Sequence, residues 1–175
     1  MTYYAHTHED GIEHYEPLES HLHAVANLAG HFANAFNAKS LGEQIGLWHD
    51  AGKYSSQFQN YLIEAGKSYW LHLDDNDDSP APKHLRKFDH ATAGAKLAQQ
   101  HINFKPLANI FSYCIAGHHT GLPNWDNDPN TSLFIRLLQD KPETLNTLQN
   151  LPTKKTSQRC SKSQSNHRPY VQKFL

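Results

Sequence analysis

Six side chains that can ligate a metal ion fall at the ends or on the apolar faces of segments with helical character. They are His21, His49, Asp50, His90, His118 and His119. A polar side chain on an apolar helix is costly to bury without a partner. One shared metal centre would provide that partner for all six, so the pattern predicts a metal site assembled from several helices.

The ligand types indicate which ions such a site would hold. Imidazole nitrogens with one carboxylate suit manganese, iron, cobalt, nickel or zinc better than magnesium or calcium, which prefer oxygen ligands. The two oxygens of Asp50 can bridge a pair of ions. Two ions about 3.5–4 Å apart can hold a phosphate, activate a water and stabilise the leaving oxygen. We therefore expect one or two divalent transition-metal ions and hydrolysis of phosphodiester bonds.

Apolar residues around these ligands recur every three or four positions, which is the period of an α-helix. Helices are predicted over residues 18–36, 41–51, a short stretch around 58–62, 90–101, 107–119 and 132–138. The second helix is expected to stop near Gly52. Residues 66–88, rich in Asp, Pro and Lys, are predicted to form a loop, and no segment alternates as a strand would. The predicted fold class is all-α, a helical bundle with a central metal site.

The chain has 175 residues, enough for one domain with its own core. We expect that domain to occupy residues 1–150. The last 25 residues lack an apolar period and carry six basic side chains and no acidic one. Such a composition is typical of disorder, so residues 151–175 are predicted to be a poorly ordered basic tail.

The charge of the predicted domain argues against strong intrinsic binding of nucleic acid. Residues 1–150 carry 10 basic and 17 acidic side chains, a net charge of about −7. Contacts to phosphate normally come from clustered Lys and Arg, and this domain has an excess of acids. Bound divalent cations would offset part of that negative charge.

Cysteine usage and hydropathy indicate the compartment. Cys114 lies in an apolar run and Cys160 in the polar tail, so neither a disulfide framework nor a paired-cysteine zinc site is available. No apolar run approaches the roughly 20 residues needed to span a bilayer, and the first residues are too polar for a signal peptide. We expect a cytoplasmic protein with no membrane association.

The order His…His-Asp…His…His-His resembles the HD superfamily of phosphohydrolases. Four segments make the resemblance more specific: LESHLHAVANLAGHFANAF, IGLWHDAGKYSSQFQNYL, DHATAGAKL and IAGHHTGLPNW. They are similar to the HD nuclease domain of the CRISPR-associated helicase-nuclease of type I systems, over about residues 4–138. The resemblance implies an HD-domain bundle that acts as a metal-dependent endonuclease or exonuclease on single-stranded DNA in antiviral interference.

The resemblance also implies a role for each ligand. One ion would be held by His21, His49 and Asp50, and a second by Asp50, His90, His118 and His119, with Asp50 as the bridge. Lys53 matches the lysine that follows the HD pair in the family. It would join Asp50 as a catalytic residue by contacting the phosphate or orienting the nucleophilic water. The alternative for Lys53 is a solvated side chain after a helix stop.

The implied partners are single-stranded DNA, a helicase and the CRISPR surveillance complex. Residues 65–69, AGKSY, resemble the end of a phosphate-binding loop, but the position of its first glycine is occupied by Tyr61. The sequence therefore holds no ATPase site, and the helicase is expected to be a separate chain or a missing portion.

A departure from the family concerns a further aspartate ligand on a late apolar helix. This chain has no aspartate after Asp140, and Asp126, Asp128 and Asp140 come too early to match. The ion at His21 and His49 is therefore expected to have one protein ligand fewer. Three functions stay open: a single-strand DNA nuclease, a hydrolase of a nucleotide or cyclic dinucleotide, and a truncated or frame-altered, weakly active metal-binding fragment that binds a partner.

The other histidines match no motif position with a ligand role. His6 lies in a YAHT segment that the family also has near its start, yet no role is assigned to it. The remaining eight are predicted to lie at the surface: His8, His14, His23, His31, His72, His84, His101 and His167.

Overall fold

Six α-helices make up most of residues 2–73, 89–119, 121–125 and 132–139, the parts of the chain that the computed structural model describes. They are α1 (Leu18–Ala33), α2 (Lys39–Trp48), α3 (Ser56–Leu73), α4 (Ala91–His101), α5 (Lys105–Gly117) and α6 (Leu133–Leu138). Within these ranges three 3₁₀ turns cover Ile12–His14, Asn34–Phe36 and Ala51–Tyr54. The prediction of an all-α fold is confirmed.

α1 packs closely against α2, and this contact positions two of the predicted ligands. Leu22 and Ala26, four residues apart on α1, are buried, as is Gly46 on α2. A β-carbon on Gly46 would overlap the backbone of Ala26, so glycine is what allows the two helices to approach this closely. The contact brings His49, three residues beyond Gly46, to His21 on α1.

α4 is the most enclosed helix of the described bundle, because every residue from Ala91 to Ala98 is buried. It packs against α5 and α6 through two apolar clusters. One contains Ala95, Ile115, Ala116 and Leu133, and the other contains Ala98, Ile102, Ala108 and Phe111. Apolar burial of this kind stabilises by about 25 cal/mol per Å² removed from water. The first residues of α4 are therefore anchored in the core.

α6 is attached to the start of α4 by an arginine. Nη2 of Arg136 donates to Oδ1 of Asp89 at 3.0 Å and to Oγ1 of Thr92 at 2.7 Å. Asp89 in turn accepts from the backbone nitrogen of Thr92 at 3.1 Å. α6 itself begins after Ser132, whose hydroxyl accepts from the backbone nitrogen of Ile135.

Two short strands accompany the helices, although no segment of the sequence alternates as a strand would. β1 (Tyr4–His6) pairs antiparallel with β2 (Glu16–Pro17). A ladder of two or three residues is too short to show an alternating pattern. The side chain of Gln59 on α3 holds this ladder by accepting from the backbone nitrogen of Tyr4 and donating to its carbonyl, both at 2.9 Å.

The third helix is longer than predicted, and the predicted loop over residues 66–88 was wrong for its first part, because α3 continues to Leu73. Gly66 looks like a helix breaker in the sequence. In the structure it is buried, and a β-carbon there would overlap the hydroxyl of Tyr15. The glycine is therefore explained by close packing against Tyr15 and not by a turn of the chain. The rest of the predicted loop, residues 74–88, lies outside the described residues.

Other predicted helix ends move by a few residues. The first α-helix ends at Ala33, and the predicted residues 34–36 form a 3₁₀ turn. The second ends at Trp48 and does not reach Ala51, because the chain turns after Asp50 into the 3₁₀ turn that contains Gly52. Within residues 2–73 and the shorter described ranges, no helix combines the length and apolar character needed to cross a bilayer.

Candidate metal centre

Four imidazole nitrogens surround the carboxylate of Asp50, two at each oxygen. Nε2 of His21 lies 3.3 Å from Oδ2 of Asp50, and Nε2 of His49 lies 3.2 Å from the same oxygen. Nε2 of His90 and Nε2 of His118 each lie 3.3 Å from Oδ1. The carboxylate thus separates two pairs of imidazoles, which is the arrangement expected of a ligand that bridges two ions.

The fifth predicted histidine completes the cluster. Nε2 of His119 lies 2.9 Å from Nε2 of His90. Ligand atoms of Asp50, His90, His118 and His119 all lie within 4.8 Å of one another, and so do those of His21, His49 and Asp50. The structure therefore brings together all six side chains predicted as ligands, in two groups that share Asp50.

Two of the histidines occupy equivalent positions at the ends of different helices. His49 is the C-terminal cap of α2, and its Nδ1 donates to the carbonyl of Gly46 at 2.7 Å. His118 caps α5 in the same way, with its Nδ1 donating to the carbonyl of Ile115 at 2.6 Å. Carbonyls in the last turn of a helix lack a partner within the helix and are free to accept. In the neutral imidazole the proton on Nδ1 leaves the lone pair of Nε2 facing Asp50.

His90 reaches the centre from the start of a helix, as the residue before the first turn of α4. A β-carbon on Gly52 would overlap the carbonyl of His90, so the 3₁₀ turn after Asp50 and the start of α4 are in direct backbone contact. That contact explains the glycine in the HDAGK segment. It sets the distance between Asp50 and His90.

The electrostatics favour a negative Asp50 and a neutral His90. Burial alone would raise the pKa of Asp50, but polar contacts with His118 and His49 and the charge of Lys53 outweigh it and hold that pKa well below its usual range. Burial lowers the pKa of His90 to about 4, against the opposing effect of Asp50. At neutral pH both side chains are in the protonation states that bind a metal.

Lys53 lies inside the site, and its residue is 3% exposed. Nζ of Lys53 lies 2.8 Å from Oδ2 of Asp50 and donates to the carbonyl of Ala5 on β1 at 3.0 Å. A solvated side chain does not fit this burial. The lysine supplies a fixed positive charge on the same side of the carboxylate as His21 and His49.

The residues fit a divalent cation. Oδ1 of Asp50 has less than 1 Å² of accessible surface, and within the described part of the chain no hydrogen bond of acceptable geometry reaches it. A buried charged oxygen without a partner is costly, and a cation would satisfy it. Five imidazoles with one carboxylate match the donor set that borderline transition metals prefer.

Sequence reasoning missed two residues beside the cluster. Glu16 of β2 lies against His21, and the ring of His6 packs edge-on against His21 with centroids 4.9 Å apart. His6 is exposed, and only its YAHT segment hinted at a role. Glu16 carries no motif signal. The prediction of a surface position is confirmed for five other histidines: His8, His14, His23, His31 and His101.

Several expectations fall on parts of the chain that are not described. The side chain of His72 is one of these, and so are His84 and His167. Asp126, Asp128 and Asp140, the candidates for the further ligand, also lie outside the described residues, as does the tail that begins at residue 151. The domain boundary at residue 150 and the disorder of the tail stay predictions.

An all-α domain that gathers histidines from several helices around one buried aspartate defines the class of HD-type metal-dependent hydrolases. The family model described as Cas3, HD domain, matches residues 5–171. The chain therefore belongs to the Cas3 HD-domain family, the HD nuclease domain of type I CRISPR systems. No curated protein matches this chain. Family membership confirms the resemblance and gives the domain a metal-dependent nuclease activity in CRISPR systems.

Proposed function

We propose that this domain hydrolyses phosphodiester bonds of single-stranded DNA in CRISPR antiviral interference. The observation that carries the proposal is the position of Asp50, whose two oxygens each face two imidazole nitrogens at 3.2–3.3 Å. A bridging carboxylate of this kind suits a two-ion site for phosphodiester cleavage. Membership of a nuclease family supports the same reaction.

The proposed ligands form two groups. The first is His21, His49 and Asp50, and the second is Asp50, His90, His118 and His119. When bound, the ions would lower the pKa of a water and neutralise charge that develops on the phosphate. The chain itself holds the ligands in place, since His49 and His118 are fixed through their Nδ1 protons.

For Lys53 we propose a catalytic role at the edge of the centre, in contacting the phosphate or orienting the attacking water. Its Nζ is already bound to Asp50 and to the carbonyl of Ala5. That placement supports a role in orienting the attacking water more directly than a role in contacting a phosphate farther away. Replacement by arginine would keep the charge but not fit the same buried space.

The proposed ions are manganese, cobalt, nickel, iron or zinc, with magnesium disfavoured. The support is the nitrogen-rich ligand set, because magnesium keeps an oxygen shell and releases its water reluctantly. Nuclease assays test this preference. Metal is first removed from the protein with a chelator, and one metal ion at a time is then added back. Full activity with magnesium alone would contradict it.

We also propose that a partner protein delivers the single-stranded DNA to the domain, because the domain alone binds it weakly. Residues 1–150 carry 10 basic and 17 acidic side chains, so the domain has little attraction for phosphate by itself. A helicase on another chain or in another region, recruited by the CRISPR surveillance complex in the cytoplasm, would supply that function. Titration with labelled single-stranded DNA should give weak binding that a partner helicase strengthens.

The decisive experiment compares substrates on the manganese-loaded chain. Linear and circular single-stranded DNA, duplex DNA, nucleotides and cyclic dinucleotides are incubated in parallel. Cleavage of the circular DNA identifies an endonuclease. If linear strands are degraded and the circle is not, the enzyme is an exonuclease. Turnover of nucleotides without DNA cleavage would reject the proposal in favour of a nucleotide hydrolase, and metal binding without any turnover would favour a weakly active fragment.

The matched variants are Asp50→Asn in the centre and His31→Ala on the exposed face of α1. Asp50→Asn removes the bridging charge with little change of shape and should abolish cleavage. His31→Ala should leave cleavage unchanged, because His31 is exposed and lies outside both ligand groups. Equal cleavage by the two variants would reject the site.

A further inference from the structure

Behind His21, on the side away from Asp50, lies the carboxylate of Glu16. Both of its oxygens are 3.2 Å from Nδ1 of His21. The Glu16 side chain is 42% exposed and that of His21 is 16% exposed, so the pair lies at the rim of the centre. Nε2 of the same imidazole faces the other way, 3.3 Å from Oδ2 of Asp50.

His21 needs such a partner because of where it lies in its helix. His49 and His118 are at the C-terminal ends of α2 and α5, where a free backbone carbonyl accepts from Nδ1. His21 is the fourth residue of α1, where the carbonyls of the first turn are used by the helix itself. Glu16, in β2 just before the helix, provides the acceptor from outside the helix.

An alternative interpretation of the contact between Glu16 and His21 is a second cation site at the rim, outside the metal centre. His6, Glu16 and His21 have ligand atoms within 4.8 Å of one another, and Nε2 of His6 lies 3.9 Å from Oε2 of Glu16. That site would require an unprotonated Nδ1 on His21. A neutral imidazole has one lone pair, so His21 cannot ligate through Nδ1 and Nε2 at once. The side of the His21 ring that faces Asp50 is the more buried one, and the ligand side chains there are His49 and Asp50.

We propose that Glu16 is a positioning residue for the metal centre. It accepts the Nδ1 proton of His21, fixes that tautomer and the orientation of the ring, and so directs the lone pair of Nε2 toward Asp50. This inference rests on the proposed metal centre. Carboxylates in this position typically change metal affinity by about 10–100-fold when they are removed.

The tautomer is tested first, on the metal-free chain. Long-range ¹H–¹⁵N correlation spectra should show His21 as the Nδ1–H tautomer in the wild type and in Glu16→Gln, whose amide oxygen still accepts. Glu16→Ala should show mixed tautomers. An unchanged His21 spectrum in Glu16→Ala would overturn the role of Glu16 without any reference to metal.

Metal affinity is tested by titration with Co²⁺, followed by visible absorption and calorimetry. Glu16→Ala should weaken one of two binding events by about 10–100-fold, and Glu16→Gln should restore much of that loss. Glu19→Ala is the matched control, because it removes an exposed acid from the first turn of α1. Circular dichroism establishes that each variant is folded.

The outcomes separate the two proposals. No Co²⁺ binding by the wild type would overturn the metal centre, and the Glu16 inference with it. Two binding events that are identical in the wild type and in Glu16→Ala would overturn the Glu16 inference alone. A third, weaker event that disappears in both Glu16→Ala and His6→Ala, with the other two unchanged, would assign Glu16 to an outer site and overturn its positioning role.

Discussion

Nζ of Lys53 lies 2.8 Å from Oδ2 of Asp50, and the side chains of the two residues are 4% and 2% exposed. The pair is therefore buried, and the lysine is fixed in addition by its hydrogen bond to Ala5 on β1. Removing one partner of a buried ion pair leaves the other charge uncompensated. Lys53 thus connects the metal centre to the N-terminal strand β1. It also contributes to the stability of the metal-free protein.

Lys53→Met should destabilise the metal-free protein by about 3 kcal/mol, the cost of leaving a buried carboxylate without its cation. Bound Mn²⁺ should recover part of this loss because it supplies positive charge at the same carboxylate. Thermal unfolding with and without Mn²⁺ measures both effects. The increase in melting temperature on adding Mn²⁺ should therefore be larger for Lys53→Met than for the wild type.

The control is Lys39→Met, which breaks an exposed pair with Glu43 on α2. Exposed pairs one helical turn apart contribute only about 0.3–0.5 kcal/mol. A loss of stability in Lys53→Met no larger than that of the control would contradict the buried pairing.

Gly52→Ala should destabilise the fold by about 1–3 kcal/mol, because the added β-carbon would push the turn after Asp50 away from the carbonyl of His90. The same displacement should weaken the ion position to which His90 belongs. Chemical denaturation and Co²⁺ titration measure the two effects. Gly30→Ala is the control, since the three atoms nearest its β-carbon would belong to the side chain of Glu43, which can change rotamer, and not to backbone. Equal effects of the two substitutions would contradict the proposed contact.

The ligands could be predicted from the sequence because helix ends are visible in it. The His49-Asp50 and His118-His119 pairs each follow an apolar periodic segment, and such segments end where side chains can leave the helix axis and converge. The structure places these four residues together with His21 and His90. Their roles as ligands stay predictions.

The contacts that hold the ligands could not be predicted in the same way. The hydrogen bond from Lys53 to Ala5 spans 48 residues, and those between Gln59 and Tyr4 span 55. Nothing in a local pattern indicates such pairings. Gly66 shows the converse, since a residue that normally interrupts a helix is retained inside α3 because Tyr15 occupies the space of its side chain.

Arg136→Lys should loosen the start of α4 without unfolding the domain. The guanidinium contacts both Asp89 and Thr92, and a lysine cannot make these contacts together. Since these side chains are partly exposed, we expect a loss of about 1 kcal/mol in the free energy of unfolding. Amide hydrogen exchange should become faster at residues 89–92 and stay unchanged in α1. Unchanged exchange at the start of α4 would show that Arg136 does not fix the segment that carries His90.

The bridging role of Asp50 predicts a pattern of metal loss that a single-ion site cannot produce. Calorimetric titration with Mn²⁺ should give two binding events in the wild type. His21→Ala should weaken one of them and His119→Ala the other, because these residues belong to different ligand groups that share Asp50. Asp50→Asn should weaken both, since an amide lacks the charge and the second anionic oxygen that a bridge requires. If His21→Ala and His119→Ala weaken the same event, all the imidazoles serve one ion and the two-ion arrangement is wrong.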